Sequence, residues 1–256
     1  MSGLRVLVTN DDGVRAPGLR VLARAARELG YDVVVAAPAE EASGTGAAMT
    51  AYTSDGRVVV EKTGIDGITA YGVGASPGYI VMLAMLGAFG DKPDLVLSGI
   101  NRGANSGRAI IHSGTVGAAL TAAGQGRPAL AVSLDAPFLD DEPDRHWETA
   151  AEYAMDLLPD LQDLPDGTAL NLNVPDVPAD KVKGLREATL ALFGQVQVSI
   201  AEQGEDFVRT AVRQGRPDIE ADTDLALLLD GYATVTAIRG VTEQPGAFRR
   251  RTPPGA

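Results

Sequence analysis

The run Val6–Leu7–Val8–Thr9 passes directly into Asn10–Asp11–Asp12–Gly13, and this junction constrains the fold more than any other stretch. A short, wholly apolar run of this kind reads as a strand buried on both faces, as in parallel sheets covered by helices. In open α/β sheets, ligands gather beyond the carboxyl ends of such strands. Two adjacent carboxylates placed there repel each other unless a cation lies between them, and hard divalent cations take oxygen ligands. The junction therefore reads as a metal seat at the start of an enzyme. It also reads as an ordinary turn, because Asp12–Gly13 is a tight-turn dipeptide and Asn10 or Asp11 can cap a following helix.

A second polar cluster lies far away in sequence. The apolar run Leu95–Val96–Leu97 ends in Ser98–Gly99–Ile100–Asn101–Arg102–Gly103–Ala104–Asn105–Ser106–Gly107. His112–Ser113–Gly114–Thr115 then opens an apolar, alanine-rich helix from about Val116 to Ala123. Amides and hydroxyls at a helix N-terminus form an anion site that the helix dipole assists. An ordinary serine N-cap fits the same residues. Set beside a carboxylate-bearing strand end, a metal and a phosphate make a coherent pair.

Composition narrows the class. At 256 residues and 45% apolar content, the chain can bury one large core. There is no cysteine, which excludes disulfides and thiolate-bound zinc. No apolar run approaches the length of a bilayer span, and the N-terminal apolar stretch is too brief for a secretory signal. The expected location is the cytoplasm, with no membrane partner. A net charge of −12 argues against binding a nucleic-acid polymer. Residues Asp135–Asp166 carry eleven acidic residues against the single Arg145, interleaved with apolar ones as on a solvated helix face. Arg249–Arg250–Arg251, flanked by proline and glycine, reads as part of a disordered tail.

Strands and helices alternate along the chain. Leu4–Val8 is a strand, and Leu19, Leu22, Ala23, Ala26 and Leu29 follow at helical spacing until Gly30. Asp32–Pro38 is a second buried strand, followed by the small-residue loop Glu40–Gly46. Val58–Glu61 and Ile68–Val73 form an antiparallel edge. A helix over Pro77–Phe89 leads into Leu95–Ser98. Ala129–Leu134, Trp147–Leu158 and Ala169–Val174 continue as strand, helix and strand. The predicted fold is α/β: a Rossmann-like, mostly parallel sheet with helices on both faces. Leu190–Ile200 and Phe207–Arg213, with Gly204 between them, alternate weakly as a projecting hairpin, an arm that packs on a partner subunit. A short helix at Asp224–Leu229 and a strand at Tyr232–Ile238 follow. The division is an α/β catalytic core over 1–185, the arm and returning elements over 186–240, and the tail over 241–256.

Several segments, taken together and in order, resemble the SurE family, the stationary-phase survival proteins. They are Thr9–Gly13 with Ala16–Pro17–Gly18, Ala37–Pro38 followed by Ser43–Gly44, and Pro93–Asp94 through Ser98–Gly99–Ile100–Asn101 with Gly103, Asn105 and Gly107. Ser113–Gly114–Thr115–Val116, Ala131–Val132–Ser133, Thr223–Asp224 and Asp230–Gly231–Tyr232 complete the match. The resemblance implies a metal-dependent 5′/3′-nucleotidase, acid-phosphatase-like, that hydrolyses a small phosphate ester with a metal-activated water. It implies one divalent cation per active site, held by Asp11, Asp12, Ser43 and Asn101. That ligand set is all oxygen and suits Mg²⁺ or Mn²⁺. Asp11 is the candidate to orient or deprotonate the water, alongside Asp12. Asn10, Asn105, Ser113, Gly114 and Thr115 are the expected phosphate and substrate contacts. The arm implies a homodimer or homotetramer.

Two departures stand out. His112 occupies a position where the family carries an aromatic residue, and a histidine there can protonate a leaving alkoxide or replace the aromatic as a hydrogen-bonding group. Gly74–Ala75–Ser76–Pro77–Gly78–Tyr79 lacks the family's aspartate, and Ser76 fits a plain helix cap. Two alternatives remain at this stage: the same chemistry on a sugar phosphate or other intermediate, and a non-catalytic nucleotide- or anion-binding subunit.

Overall fold

A computed structural model describes residues 3–51, 53–137, 145–194, 196–204, 206–214 and 220–245. The first half runs β1 (Arg5–Thr9), α1 (Pro17–Glu28), β2 (Asp32–Pro38), β3 (Thr53–Ser54), β4 (Arg57–Val58), β5 (Val60–Ile65), β6 (Ile68–Val73) and α2 (Pro77–Met85). The second half runs β7 (Leu95–Arg102), α3 (Gly114–Gly124), β8 (Ala129–Asp135), α4 (Trp147–Asp156), β9 (Thr168–Pro175), β10 (Leu185–Glu187), β11 (Val196–Gln203), β12 (Val208–Gln214), α5 (Asp224–Leu229) and β13 (Ala233–Arg239).

Nine strands form the main sheet in the order β10-β13-β9-β8-β7-β1-β2-β6-β5. The central pairings of β1 with β2 and β7, of β7 with β8, and of β8 with β9 are all parallel. β5 closes one edge antiparallel to β6, the expected antiparallel edge, but it runs Val60–Ile65 where the sequence suggests Val58–Glu61. Both faces are covered because successive side chains of a strand point to opposite sides. Val6 and Val8 pack with Leu19 and Leu22 of α1 and Ala150 and Ala154 of α4. Leu7, between them, packs with Ile80 and Val81 of α2 and Val116 and Ala119 of α3.

The arm is present as expected. β11 and β12 pair antiparallel as a separate two-stranded sheet, and the Gly204 N–H bonds to the Phe207 carbonyl at 2.9 Å. Its first strand begins at Val196, later than the alternation suggests. Residues 190–194 instead run back against the loop after β7, where the Arg108 N–H donates to the Ala191 carbonyl at 2.9 Å. Among the described residues of 186–240, only the hairpin stands apart. β13 pairs antiparallel with β9 inside the main sheet, and β10 pairs parallel with β13.

The acidic residues of the 148–166 stretch are exposed, in keeping with a solvated face. Those between 138 and 144, the arginines at 249–251, and the tail from 246 onward lie outside the described residues. No described helix is long and apolar enough to cross a membrane.

Candidate active site

The chain leaves β1, builds β2 and β6 to one side, then crosses to β7 on the other. Such a reversal opens a crevice at the carboxyl ends of the two strands involved, here β1 and β7. Asp11 and Asp12 follow β1, and Asn101 lies near the end of β7. α1 closes tightly over this point. A side chain at Gly18 would place its Cβ 2.1 Å from the Ile100 carbonyl oxygen, so only glycine lets the helix reach the strand end. The result is a cleft of about 950 Å³. Asp11, Asp12, Glu41, Ser43, Asn101 and Arg102 line it at one point, and it extends toward Arg145 and Trp147.

Asp11 is buried at 5% exposure against the first turn of α3. The Thr115 hydroxyl donates to its Oδ1, and a Cβ on Gly114 would come within 2.7 Å of its Oδ2. Burial pushes the Asp11 carboxyl up, opposed by Thr115 and by the backbone amides of Thr115 and Gly114. Asp12 is pushed up to about 7, by burial first and then by the charge of Asp11, with Glu41 adding to the repulsion. The Arg102 N–H donates to Asp12 Oδ2 at 3.3 Å and works the other way.

Asn101 has its amide orientation fixed. Its Nδ2 donates to the Gly103 carbonyl at 2.7 Å, which turns Oδ1 toward the Thr115 hydroxyl at 3.2 Å. One hydroxyl thus lies within reach of both Asp11 Oδ1 and Asn101 Oδ1. Ser43 comes from the loop after β2, anchored where the Ala42 N–H bonds to the Asp11 carbonyl at 2.8 Å. Its hydroxyl donates to Glu41 Oε1 at 2.6 Å. The described residues contain no cluster of three histidine, cysteine or acidic side chains suited to a metal. The donor set is two carboxylates, an amide oxygen and a hydroxyl, which fits a hard cation that keeps part of its water shell.

The remaining expected residues divide. Asn105, His112 and Ser113 line the cleft. Ser113 is also the N-cap of α3, accepting from the Val116 N–H at 3.1 Å. Thr115 is fully buried and Gly114 packs on Asp11, so both stand behind the carboxylate rather than at the cleft surface. The helix N-terminus read as a phosphate cradle thus faces a carboxylate of the chain itself. Asn10 requires a correction. It is fully buried, and its amide is spent on the Gly13 carbonyl at 3.0 Å and the Gly13 N–H at 3.2 Å, closing the turn instead of meeting substrate. Neither Asn10 nor Asp11 caps α1, which starts at Pro17 with Ala16 before it. Ser76 sits at the N-cap of α2, but its hydroxyl accepts from the Thr50 N–H at 3.1 Å instead of capping the helix.

Sequence reasoning missed the supports of Asn105. Asn173 Oδ1 accepts from its N–H at 2.8 Å, while Asn171 and Asn173 both donate to its carbonyl at 2.9 Å. Two amides on one face of a buried strand were the available signal. The fully buried Asp224 braces the same loop, accepting from the Gly107 N–H at 2.7 Å and the Ala191 N–H at 2.9 Å.

Comparison with known proteins identifies the family and the fold. The family model described as Survival protein SurE matches residues 6–196. A 5'-nucleotidase SurE of Desulfitobacterium hafniense is 36% identical over 236 residues, covering 91% of this chain and 90% of that protein. A 5'/3'-nucleotidase SurE of Citrobacter koseri is 38% identical over 240 residues, covering 92% and 90%. The crystal structure of the SurE protein from Aquifex aeolicus superposes with a TM-score of 0.70 at 31% identity, covering 92% of this chain and 93% of that one. With the family model spanning most of the sheet and the same fold found in a solved relative, the chain belongs to the SurE family.

Proposed function

We propose that the chain is a divalent-metal-dependent phosphomonoesterase that hydrolyses nucleoside monophosphates at the 5′ or 3′ position. The substrate class rests on relatives named as 5'- and 5'/3'-nucleotidases that align along nine tenths of the chain. The observation that carries the chemistry is the Asp11–Asp12 pair at the strand reversal, Asp11 buried and Asp12 half-buried, with burial and the Asp11 charge outweighing Arg102 in pushing Asp12 up. Asp11, Asp12, Asn101 and Ser43 would hold the ion, and their oxygen donors favour Mg²⁺ or Mn²⁺. A cation bound there would supply Lewis acidity toward a phosphoryl oxygen and toward the attacking water.

The chain's own groups do the rest. Asp11, held by Thr115, orients the attacking water and accepts its proton. Asn105 and Ser113, on the cleft wall, donate to the phosphoryl oxygens where negative charge builds up. His112 faces the same cleft and is the proton donor to the departing alkoxide. The arm exposes Ile200, Phe207 and Val208, and a two-stranded hairpin is marginal alone, which favours docking onto a second copy in a homodimer or homotetramer. A single 26.5 kDa species in light scattering overturns that assembly.

The test is phosphate release from 5′- and 3′-nucleotides, sugar phosphates and an aryl phosphate, with Mg²⁺, Mn²⁺ or chelator, beside Asp12→Ala. Release from nucleotides that needs the metal and is lost in Asp12→Ala is the expected result. Release that survives chelator overturns the metal role. A preference for sugar phosphates overturns the substrate class. A folded protein that binds nucleotides without releasing phosphate is a binding subunit.

A further inference from the structure

The loop after β2 carries two adjacent acids with different surroundings. Glu40 faces a smaller cavity of about 420 Å³ shared with Arg15, Arg20 and Asp66. Glu41 faces the main cleft, where it accepts the Ser43 hydroxyl at 2.6 Å and sets its negative charge against Asp12. Both side chains are exposed, so Glu41 is not a packing residue. The anchor of Ala42 on the Asp11 carbonyl ties the loop carrying Glu41 and Ser43 to the end of β1.

We propose that Glu41 is a positioning residue for the cation, acting through Ser43. A serine hydroxyl has one proton and two lone pairs, and it ligates a cation only through the lone pairs. With its proton committed to Glu41, the Ser43 oxygen keeps its lone pairs for the metal. The same carboxylate adds a negative charge beside Asp12 without joining it as a ligand. Partners that orient metal ligands in this way typically change metal affinity by about 10–100-fold when removed. The inference rests on the metal reading above and deepens it.

The test is Mn²⁺ binding to the whole protein by titration calorimetry, which needs no substrate and no turnover. Glu41→Gln is expected to weaken Mn²⁺ about tenfold. Glu40→Gln removes the same charge one residue away and is expected to bind as wild type does. Asp12→Asn is expected to lose binding. A double-mutant cycle of Glu41→Leu, which offers no acceptor, with Ser43→Ala isolates the route: Glu41→Leu costs much less once the hydroxyl it orients is gone. Wild-type affinity in Glu41→Gln, while Asp12→Asn fails to bind, overturns the role of Glu41 and leaves the metal site standing. Equal losses from Glu41→Leu with and without the Ser43 hydroxyl overturn the route through it. If the wild-type protein takes up no Mn²⁺, the metal reading and this inference fall together.

Discussion

The Thr115 hydroxyl donates to Asp11 Oδ1 across 104 residues of sequence, joining the first turn of α3 to the end of β1. Thr115 is fully buried and Asp11 is exposed by only 5%, so the bond between them is shielded from bulk water. Thr115→Val keeps the shape and deletes the donor, leaving a buried carboxylate oxygen short of a partner. The expected cost is about 1–3 kcal/mol in urea denaturation, with phosphate release falling alongside. Thr115→Ser keeps the donor and is expected to retain most of both. Equal losses in the two variants would assign the effect to the methyl group and its packing.

Asp12 gives the metal-free protein a pH dependence of definite sign. An acid whose folded-state value is raised holds its proton more tightly in the folded state. Its contribution therefore favours folding below the ordinary value of 3.8 and turns against it as pH climbs toward about 7. In chelator at pH 8, Asp12→Asn is expected to exceed the wild type in stability, by on the order of 2–4 kcal/mol. The gap closes as pH falls to 4. With Mn²⁺ at a hundred times its dissociation constant, only the wild type gains, by about 2.7 kcal/mol. Thermal unfolding with and without chelator reads both effects.

Asp176 works in the opposite direction. Burial raises its carboxyl, but the His146 backbone N–H, the His146 ring and Arg145 together outweigh that and hold it below the ordinary value. Its share of stability is complete above the ordinary carboxylate value and is lost as pH falls through its own lowered one. The Arg145 guanidinium sits 3.0 Å from Asp176, with side-chain exposures of 7% and 10%. Asp176→Asn removes the charge that accepts from Arg145 and His146, and a loss of about 1.5–3 kcal/mol is expected at pH 7. The loss shrinks once the wild-type carboxyl is itself protonated. Urea midpoints at pH 7 and pH 3 test this, and a loss independent of pH would tie the effect to packing.

The parts of the site that follow apolar strands were legible in the sequence. Asp11, Asp12 and Asn101 stand where buried runs end, and strand order alone brings such ends together. Ser43 sits in a loop whose composition marks only a turn, and the resemblance was needed to single it out. Sequence could not show which partner a polar group takes. Thr115 and Asn10 both looked aimed at a ligand, yet one serves Asp11 and the other closes its own turn. Asn171 and Asn173 were readable as two amides in an apolar strand, but their target is a backbone 66 and 68 residues away. Distance in the chain hides such supports, whereas periodicity reveals strands and helices.

Asn173 offers a way to separate the substrate wall from the metal seat. It holds the Asn105 backbone from both sides and, at 0% exposure, lies beneath the cleft surface. Asn173→Leu removes that grip, so Asn105 no longer meets the phosphate from a fixed position. Phosphate release is expected to fall about 10²-fold, the scale seen when one preorganised donor is lost. Mn²⁺ affinity is expected to stay near wild type, because Asp11, Asp12 and Asn101 are held by other bonds. A parallel loss of Mn²⁺ binding would show that the loop and the metal seat form one unit.

His112 separates by leaving group. A ribose alkoxide departs as a strong base and gains from a proton delivered in the transition state, whereas an aryl phosphate releases a stable phenolate that needs none. The Gly46 N–H bonds to the His112 carbonyl at 3.1 Å, so the backbone at this position is anchored whatever side chain it carries. His112→Asn is expected to lower kcat on nucleoside monophosphates by about 10²-fold, the lower end for a general acid, and to leave aryl phosphate hydrolysis nearly unchanged. An equal fall on both substrates would mean that His112 shapes the cleft in place of the family's aromatic residue and moves no proton.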